Sequence, residues 1–249
     1  MATDGIVYHC VRIARTDNLA AILVTSKSRG GTAVVLHRDD EDWALAGTLP
    51  LTTRGRESIP GWFLRGRPSS VLILRQLAGW GTGTVLEVER WYLICPRLEL
   101  VLEYPVRAYV VGWGLRFDRH IEAEHLSLPD LLEHGAYVEI AVRVKYQPAE
   151  DDKGHRADAE IKVARTIRLG WNAAKRRFVP RPDSELSAED AMELYGDNDA
   201  SFVARNLARL LAIGKEGRPD VVSWISDLAE RSHPDDSDAL RKVVGGGTG

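Results

Sequence analysis

The chain is poor in cysteine, with only Cys10 and Cys95 among its 249 residues. Two cysteines do not make a disulfide framework, and neither belongs to a CxxC motif or to the Cys/His spacing of a zinc site. Each lies inside an apolar, strand-like run, so we expect buried free thiols that act as small hydrophobic side chains. A single bridge between Cys10 and Cys95 is the alternative if the protein is exported.

The sequence also lacks long apolar runs. Residues 1–15 do not have the basic flank and apolar segment of a signal peptide. The longest apolar runs elsewhere are too short to cross a bilayer. We therefore expect a cytoplasmic protein without a membrane partner, although a mature exported form would have the same features.

Motifs that fix a chemistry are missing. There is no G-x-S-x-G or S-x-x-K arrangement for a serine nucleophile. The glycine-rich stretch 79–84 is followed by a strand-like run rather than by a helix, and no lysine follows the glycines, so it is neither a phosphate loop nor a dinucleotide fingerprint. We expect no cofactor and a tight turn or bulge at this stretch.

Lysine is scarce beside arginine, and the formal net charge is −3. This total makes nucleic acid an unexpected partner. Basic residues nevertheless cluster in two places, residues 54–75, which also carry Trp62 and Phe63, and residues 162–181, which contain no acid. The candidate binding surface drawn from these stretches consists of Trp62, Phe63, Arg65, Arg67, Arg168, Arg176 and Arg177. Residues 183–199 carry acids and no base, so we expect this segment to fold back over the basic stretch before it.

Strand patterns fill the first two-thirds of the chain. Residues 137–146 and 160–169 alternate apolar and polar side chains, as in a long antiparallel hairpin with one wet face. After residues 180–182 the hydrophobic period changes from 2 to 3.6. The prediction is an α+β protein: a mostly antiparallel β-sheet body of hairpins over 1–182, sandwich-like or half-barrel-like, then a helical C-terminal segment over 183–244 packed on the body and a flexible tail over 245–249.

The densest group of chemically active residues lies between residues 118 and 125. Asp118, His120, Glu124 and His125 are the candidate catalytic residues, and the last three are candidate metal ligands. On a helix His120 and Glu124 would share one face, and on a strand His120, Glu122 and Glu124 would share one side. The order differs from the H-E-x-x-H motif of zinc proteases. A solvated loop or sheet edge is the competing interpretation.

Two functions follow from these patterns. The first is a non-catalytic binding or protein-interaction protein, for which another protein is the expected partner, because no set of catalytic residues converges. The alternative is a metal-assisted hydrolase centred on the residues 118–125. The sequence favours the first, and it leaves the oligomeric state open.

Overall fold

The structure is a computed structural model that describes residues 8–26, 29–39, 41–51, 59–66, 70–94, 97–112, 114–129, 131–132, 135–151 and 153–245. Cys95, Arg67 and the predicted flexible residues 246–249 lie outside these ranges, as does the side chain of Cys10. The predictions made for them therefore stay predictions.

Four consecutive strands form a small antiparallel sheet. They are β1 (Tyr8–Arg15), β2 (Leu19–Ser26), β3 (Arg29–Asp39) and β4 (Asp42–Leu51), and they pair in chain order. Short connections join them, as is usual for a meander of hairpins.

A nine-stranded sheet follows, in the order β10-β5-β6-β7-β8-β9-β11-β12-β13. Among the described residues, only the two-residue strand β10 runs parallel to its neighbour, β5, and the other pairs are antiparallel. The predicted class, antiparallel sheets followed by helices, is confirmed. The strands are β5 (Gly61–Gly66), β6 (Ser70–Gly81), β7 (Thr84–Ile94), β8 (Leu98–Val110), β9 (Phe117–Ser127), β10 (Leu131–Leu132), β11 (Tyr137–Pro148), β12 (Ile161–Asn172) and β13 (Arg177–Pro180).

Two hydrophobic cores meet at strand β6. Leu72 and Leu74 belong to the core that this strand shares with the small sheet, whereas Val71 and Ile73 belong to the main core of the large sheet and the helices. Alternate residues of a strand point to opposite faces, so an unbroken apolar run suits a strand that is buried on both sides.

The large sheet curls around its main core. Trp91 on β7 packs edge-on against Phe178 on β13, with 5.1 Å between the ring centroids, although several strands separate β7 from β13 in the sheet. Such curvature is the expected result of strand twist combined with bulges, and bulges interrupt both edges of β7's pairing with its neighbours.

Four helices complete the chain: α1 (Ala188–Gly196), α2 (Asp199–Gly214), α3 (Pro219–Glu230) and α4 (Pro234–Gly245). A capping box begins α1, with Ser187 and Asp190 bonded reciprocally. Pro234 begins α4, at a position where its missing N–H costs no helical hydrogen bond. Within the described residues, no helix combines the length and the apolar character needed to span a membrane.

The helices join the body through the start of strand β9. Phe202 on α2 stacks on Phe117, with 4.1 Å between the centroids. The buried Arg119 donates to the backbone oxygens of Leu194 (2.6 Å) and Asp197 (2.5 Å), which lie at the end of α1. Trp224 on α3 donates to the Arg116 oxygen at 2.6 Å. We call these contacts the tail joint.

The start of the acidic segment makes the predicted contact with the basic hairpin. Arg168 on β12 donates to the Asp183 backbone oxygen at 2.8 Å, and Glu185 accepts a hydrogen bond from the Thr166 backbone. Farther along, Glu193 and Asp197 pair with Arg205 of the tail itself. The helical segment is therefore held by contacts of residues 183–185 with β12 as well as by the tail joint and the packing of α1 on β8.

The residues 118–125, for which the sequence left a helix, a strand and a solvated loop or sheet edge open, lie in β9. Farther along, Leu131–Leu132 pair with β5. Strand β9 alternates charged residues on one face with Ile121 and Ala123 on the other. The charges of the exposed face make the composition of the segment polar, although the strand is buried on one side.

Candidate functional site

A buried carboxylate lies at the centre of the large sheet. Glu89 on β7 is 0% exposed, and it is paired across the sheet with Arg75 on β6 and Tyr104 on β8. Directly opposed residues in neighbouring strands share a face, so these three side chains meet. The Glu89 carboxylate accepts hydrogen bonds from Arg75 Nε (2.9 Å), Tyr104 OH (2.5 Å) and Trp91 Nε1 (2.8 Å).

His125 completes this group from strand β9. Its Nε2 lies 2.9 Å from the Glu89 carboxylate and 2.7 Å from the Tyr104 hydroxyl. The backbone pairing of β8 with β9 covers only residues 107–110 and 119–122. His125 therefore makes its side-chain contacts beyond the point where the backbone ladder ends. We call Arg75, Glu89, Trp91, Tyr104 and His125 the Glu89 cluster.

The hydrogen-bond roles in the cluster assign the proton on His125. Tyr104 already donates its single proton to Glu89, so its oxygen accepts from His125. His125 in its neutral form then carries its proton on Nε2, and Nδ1 is the nitrogen left to accept a hydrogen bond from another molecule.

Burial and hydrogen bonding act in opposite directions on Glu89. Burial raises its pKa, but the hydrogen bond and charge of His125, together with the bonds from Tyr104 and Arg75, outweigh burial and leave the pKa below its ordinary value. Burial, followed by the charge of Glu89, raises the pKa of Tyr104 well above its ordinary value. The cluster therefore holds a charged carboxylate and a neutral phenol across the physiological range.

Three side chains connect the cluster to the surface. The Arg75 side chain is partly exposed and its guanidinium lies 5.6 Å from the centroid of the Trp62 ring. The Trp62 ring also meets His125 edge-on, at a centroid distance of 6.3 Å. Trp62, Arg75 and His125 form the rim of the cluster, where an arginine, an imidazole and an indole are side by side.

The structure distributes the residues 118–125 rather than gathering them. His120, Glu122 and Glu124 occupy one face of β9, and His125 lies on the other, in the Glu89 cluster. Asp118 is buried and accepts from Arg156 at 2.6 Å. Glu124 pairs with Arg143. No group of three or more His, Cys, Asp and Glu side chains within the described ranges is arranged to hold a metal ion.

The candidate binding surface is divided as well. Trp62 packs against the main core and Phe63 against the core under the small sheet, so neighbours in sequence point to opposite faces of β5. Arg65 is exposed. Arg168 bonds Glu139 on β11 at 2.9 Å, and Arg177 pairs with Asn172 at the far edge of the sheet. Arg176 adopts a positive φ of 51° in the turn before β13.

Sequence reasoning singled out Trp62 and His125 separately and did not connect them. It missed Glu89 and Tyr104, which carry the cluster. One signal was available: a glutamate within a strand whose second half is apolar on both faces needs a partner. Cross-strand register, which the sequence does not show, decides which partner that is.

Comparisons of the chain with protein families, with curated proteins and with solved structures found no match.

Proposed function

We propose that the protein is a non-catalytic binding protein that takes a small organic carboxylate at the rim of the Glu89 cluster. The observation that supports this most is a fully buried charge whose partners lead to the surface. Taking a carboxylate out of water costs several kcal/mol before its partners compensate, and an apolar core is often at least as stable. A charged network retained in this way is a candidate functional site.

The rim has the chemistry for a carboxylate. Within the described residues, the hydrogen bond from Arg75 to Glu89 uses Nε, which leaves the two terminal nitrogens of the guanidinium to donate to a ligand. Two parallel N–H donors of an arginine match the two oxygens of a carboxylate.

Trp62 defines the rest of the ligand. Its ring already lies against the Arg75 guanidinium and edge-on to His125. A planar apolar body beside the carboxylate would extend this stack, and large aromatic surfaces contribute most of the energy of such contacts. The proposed class of ligand is therefore an aromatic or similarly flat carboxylate.

Benzoate is a suitable probe, since it has both features and no others. We expect saturable shifts of the Trp62 indole N–H signal in a ¹H–¹⁵N NMR titration. The expected Kd is in the millimolar range or below, which corresponds to a binding free energy on the order of −4 kcal/mol. Arg75→Lys should weaken binding about tenfold because lysine is not a bidentate donor. Arg107→Lys, on an exposed strand position away from the rim, is the matched control and should bind as the wild type does.

Absence of saturation up to about 10 mM benzoate would contradict the proposal. Equal weakening by Arg75→Lys and Arg107→Lys would contradict it too, because the effect would then reflect general charge rather than the rim.

A further inference from the structure

A second surface lies on the large sheet, separate from the rim. Direct cross-strand pairs connect Trp80 on β6, Val85 on β7, Tyr109 on β8 and His120 on β9. The row continues with Lys145 on β11 and Lys162 on β12. Because each pair shares a face, the six side chains lie in one line across six strands. We call this line the aromatic row.

The aromatic row is accessible. Trp80 is 42% exposed and Tyr109 is 45% exposed, and both count among the large apolar side chains that the fold leaves at its surface. His120 meets the Tyr109 ring edge-on at 6.0 Å, which helps to fix that ring in place. The neighbouring residues on the opposite face, Ala108 and Ile121, are fully buried. The row is thus a rigid platform supported by the main core.

Charges beside the row alternate in sign. The next row along the same strands is Glu87, Arg107, Glu122 and Arg143. Lys145 and Lys162 both pair with Glu160. A polyanion such as single-stranded nucleic acid would meet as many carboxylates as basic groups here, and such ligands need a clearly basic groove.

A protein partner is also a poor match. The apolar part of the row consists of three side chains, Trp80, Val85 and Tyr109, whereas a stable protein interface covers about 800 Å² on each partner. The ligand that suits the surface is uncharged, has a flat apolar face for the aromatic rings and carries hydroxyl groups for the neighbouring charged side chains. Sugars have this combination.

The spacing favours an extended chain of sugars. Trp80 and Tyr109 lie on strands separated by one strand, hence about 10 Å apart in the direction across the sheet. In a β-1,4-linked glycan every second ring presents the same face, and the repeat of two rings has a similar length. We propose that the aromatic row binds an extended, uncharged oligosaccharide, with alternate rings stacked on Trp80 and Tyr109. This inference does not depend on the proposed carboxylate site.

Cellohexaose tests the proposal by calorimetry and by NMR on the full chain. Binding should shift the indole N–H signal of Trp80 and leave that of Trp43 unchanged. Trp43 is the matched control, since it is 40% exposed on the small sheet. Trp80→Ala and Tyr109→Ala should each weaken binding at least about tenfold, and Trp43→Ala should not. Trp80→Phe, which keeps an aromatic ring, should retain most of the affinity.

Four results would overturn the inference. The first is no binding of cellohexaose to the wild type at about 5 mM. The second is binding that shifts the indole N–H signal of Trp43 as much as that of Trp80, a comparison made on the wild type alone. The third is tighter binding of a fifteen-nucleotide thymidine strand, with a steep salt dependence, than of cellohexaose. Equal affinity for the curved maltohexaose would overturn the match to an extended chain.

Discussion

The Glu89 cluster and the tail joint both bury a charge in the main core, but they satisfy it in different ways. Arg119 in the tail joint donates to two backbone oxygens, and burial lowers its pKa from the ordinary value. Glu89 is held by side chains on four strands, and two of these side chains, Arg75 and His125, reach the surface. Backbone partners suit a permanent structural contact, whereas titratable and partly exposed side chains can respond to a ligand.

The largest expected effect breaks the tail joint. Arg119→Ala removes the donor to the Leu194 and Asp197 oxygens at the end of α1 and leaves a cavity, so we expect a loss of about 4 kcal/mol in the free energy of unfolding. Urea denaturation measures this loss. Arg143→Ala, on the exposed face of the same sheet, should change the midpoint very little. Similar losses from both variants would show that Arg119 has no special structural role.

A smaller effect with a pH signature is expected for the Glu89 cluster. Glu89→Gln keeps the shape of the side chain but places an amide N–H group against Arg75 and Trp91, which are themselves donors. We expect it to lower the free energy of unfolding by about 3 kcal/mol near neutral pH. Folding lowers the pKa of Glu89, so the unfolded chain binds a proton at this residue more strongly than the folded chain does. The stabilisation of the folded state by ionised Glu89 is therefore lost as the pH falls below 4.5.

The measurement is the urea midpoint of the wild type and of Glu89→Gln between neutral pH and about pH 3. The difference between the urea midpoints of the two proteins should become smaller as the pH is lowered. A gap that stays constant over this range would mean that Glu89 is not held as a carboxylate.

The smallest expected effect separates one hydrogen bond from packing. Trp91→Phe removes the indole donor to Glu89 and should destabilise the protein by about 1 kcal/mol beyond any packing loss. Trp171→Phe is the matched control, because Trp171 also meets the Phe178 ring edge-on, at 5.2 Å. If the two variants lose equal stability, the Trp91 hydrogen bond contributes nothing measurable.

Much of the architecture could be predicted because it follows from local patterns. The alternation in residues 137–146 marks β11, the change of period after Pro182 marks the helices, and Ser187 with Asp190 marks the start of α1. The site could not be predicted in this way. It depends on the pairing of Glu89 with Tyr104 and on the bulges that shift the register of β7 and β8, and these are properties of the assembled sheet.

Strand β9 could not be singled out from the sequence for a related reason. Charged residues on the exposed face of β9 gave the segment a polar composition, although Phe117 and Ile121 are fully buried on the other face. A strand with one wet face alternates cleanly only where its buried positions are all apolar, and Arg119 and His125 interrupt the alternation.

The short pairing between β8 and β9 has a consequence for how the chain folds during synthesis. Apart from the two-residue pairing of β10 with β5, those few residue pairs are the only backbone ladder between strands β5–β8 and strands β9–β13 within the described residues. Helix α1 packs against β8 while Arg119 on β9 holds the end of the same helix, so the C-terminal segment spans the junction. The halves can form as soon as they leave the ribosome, but we expect their final alignment to wait until α1 and α2 have been translated.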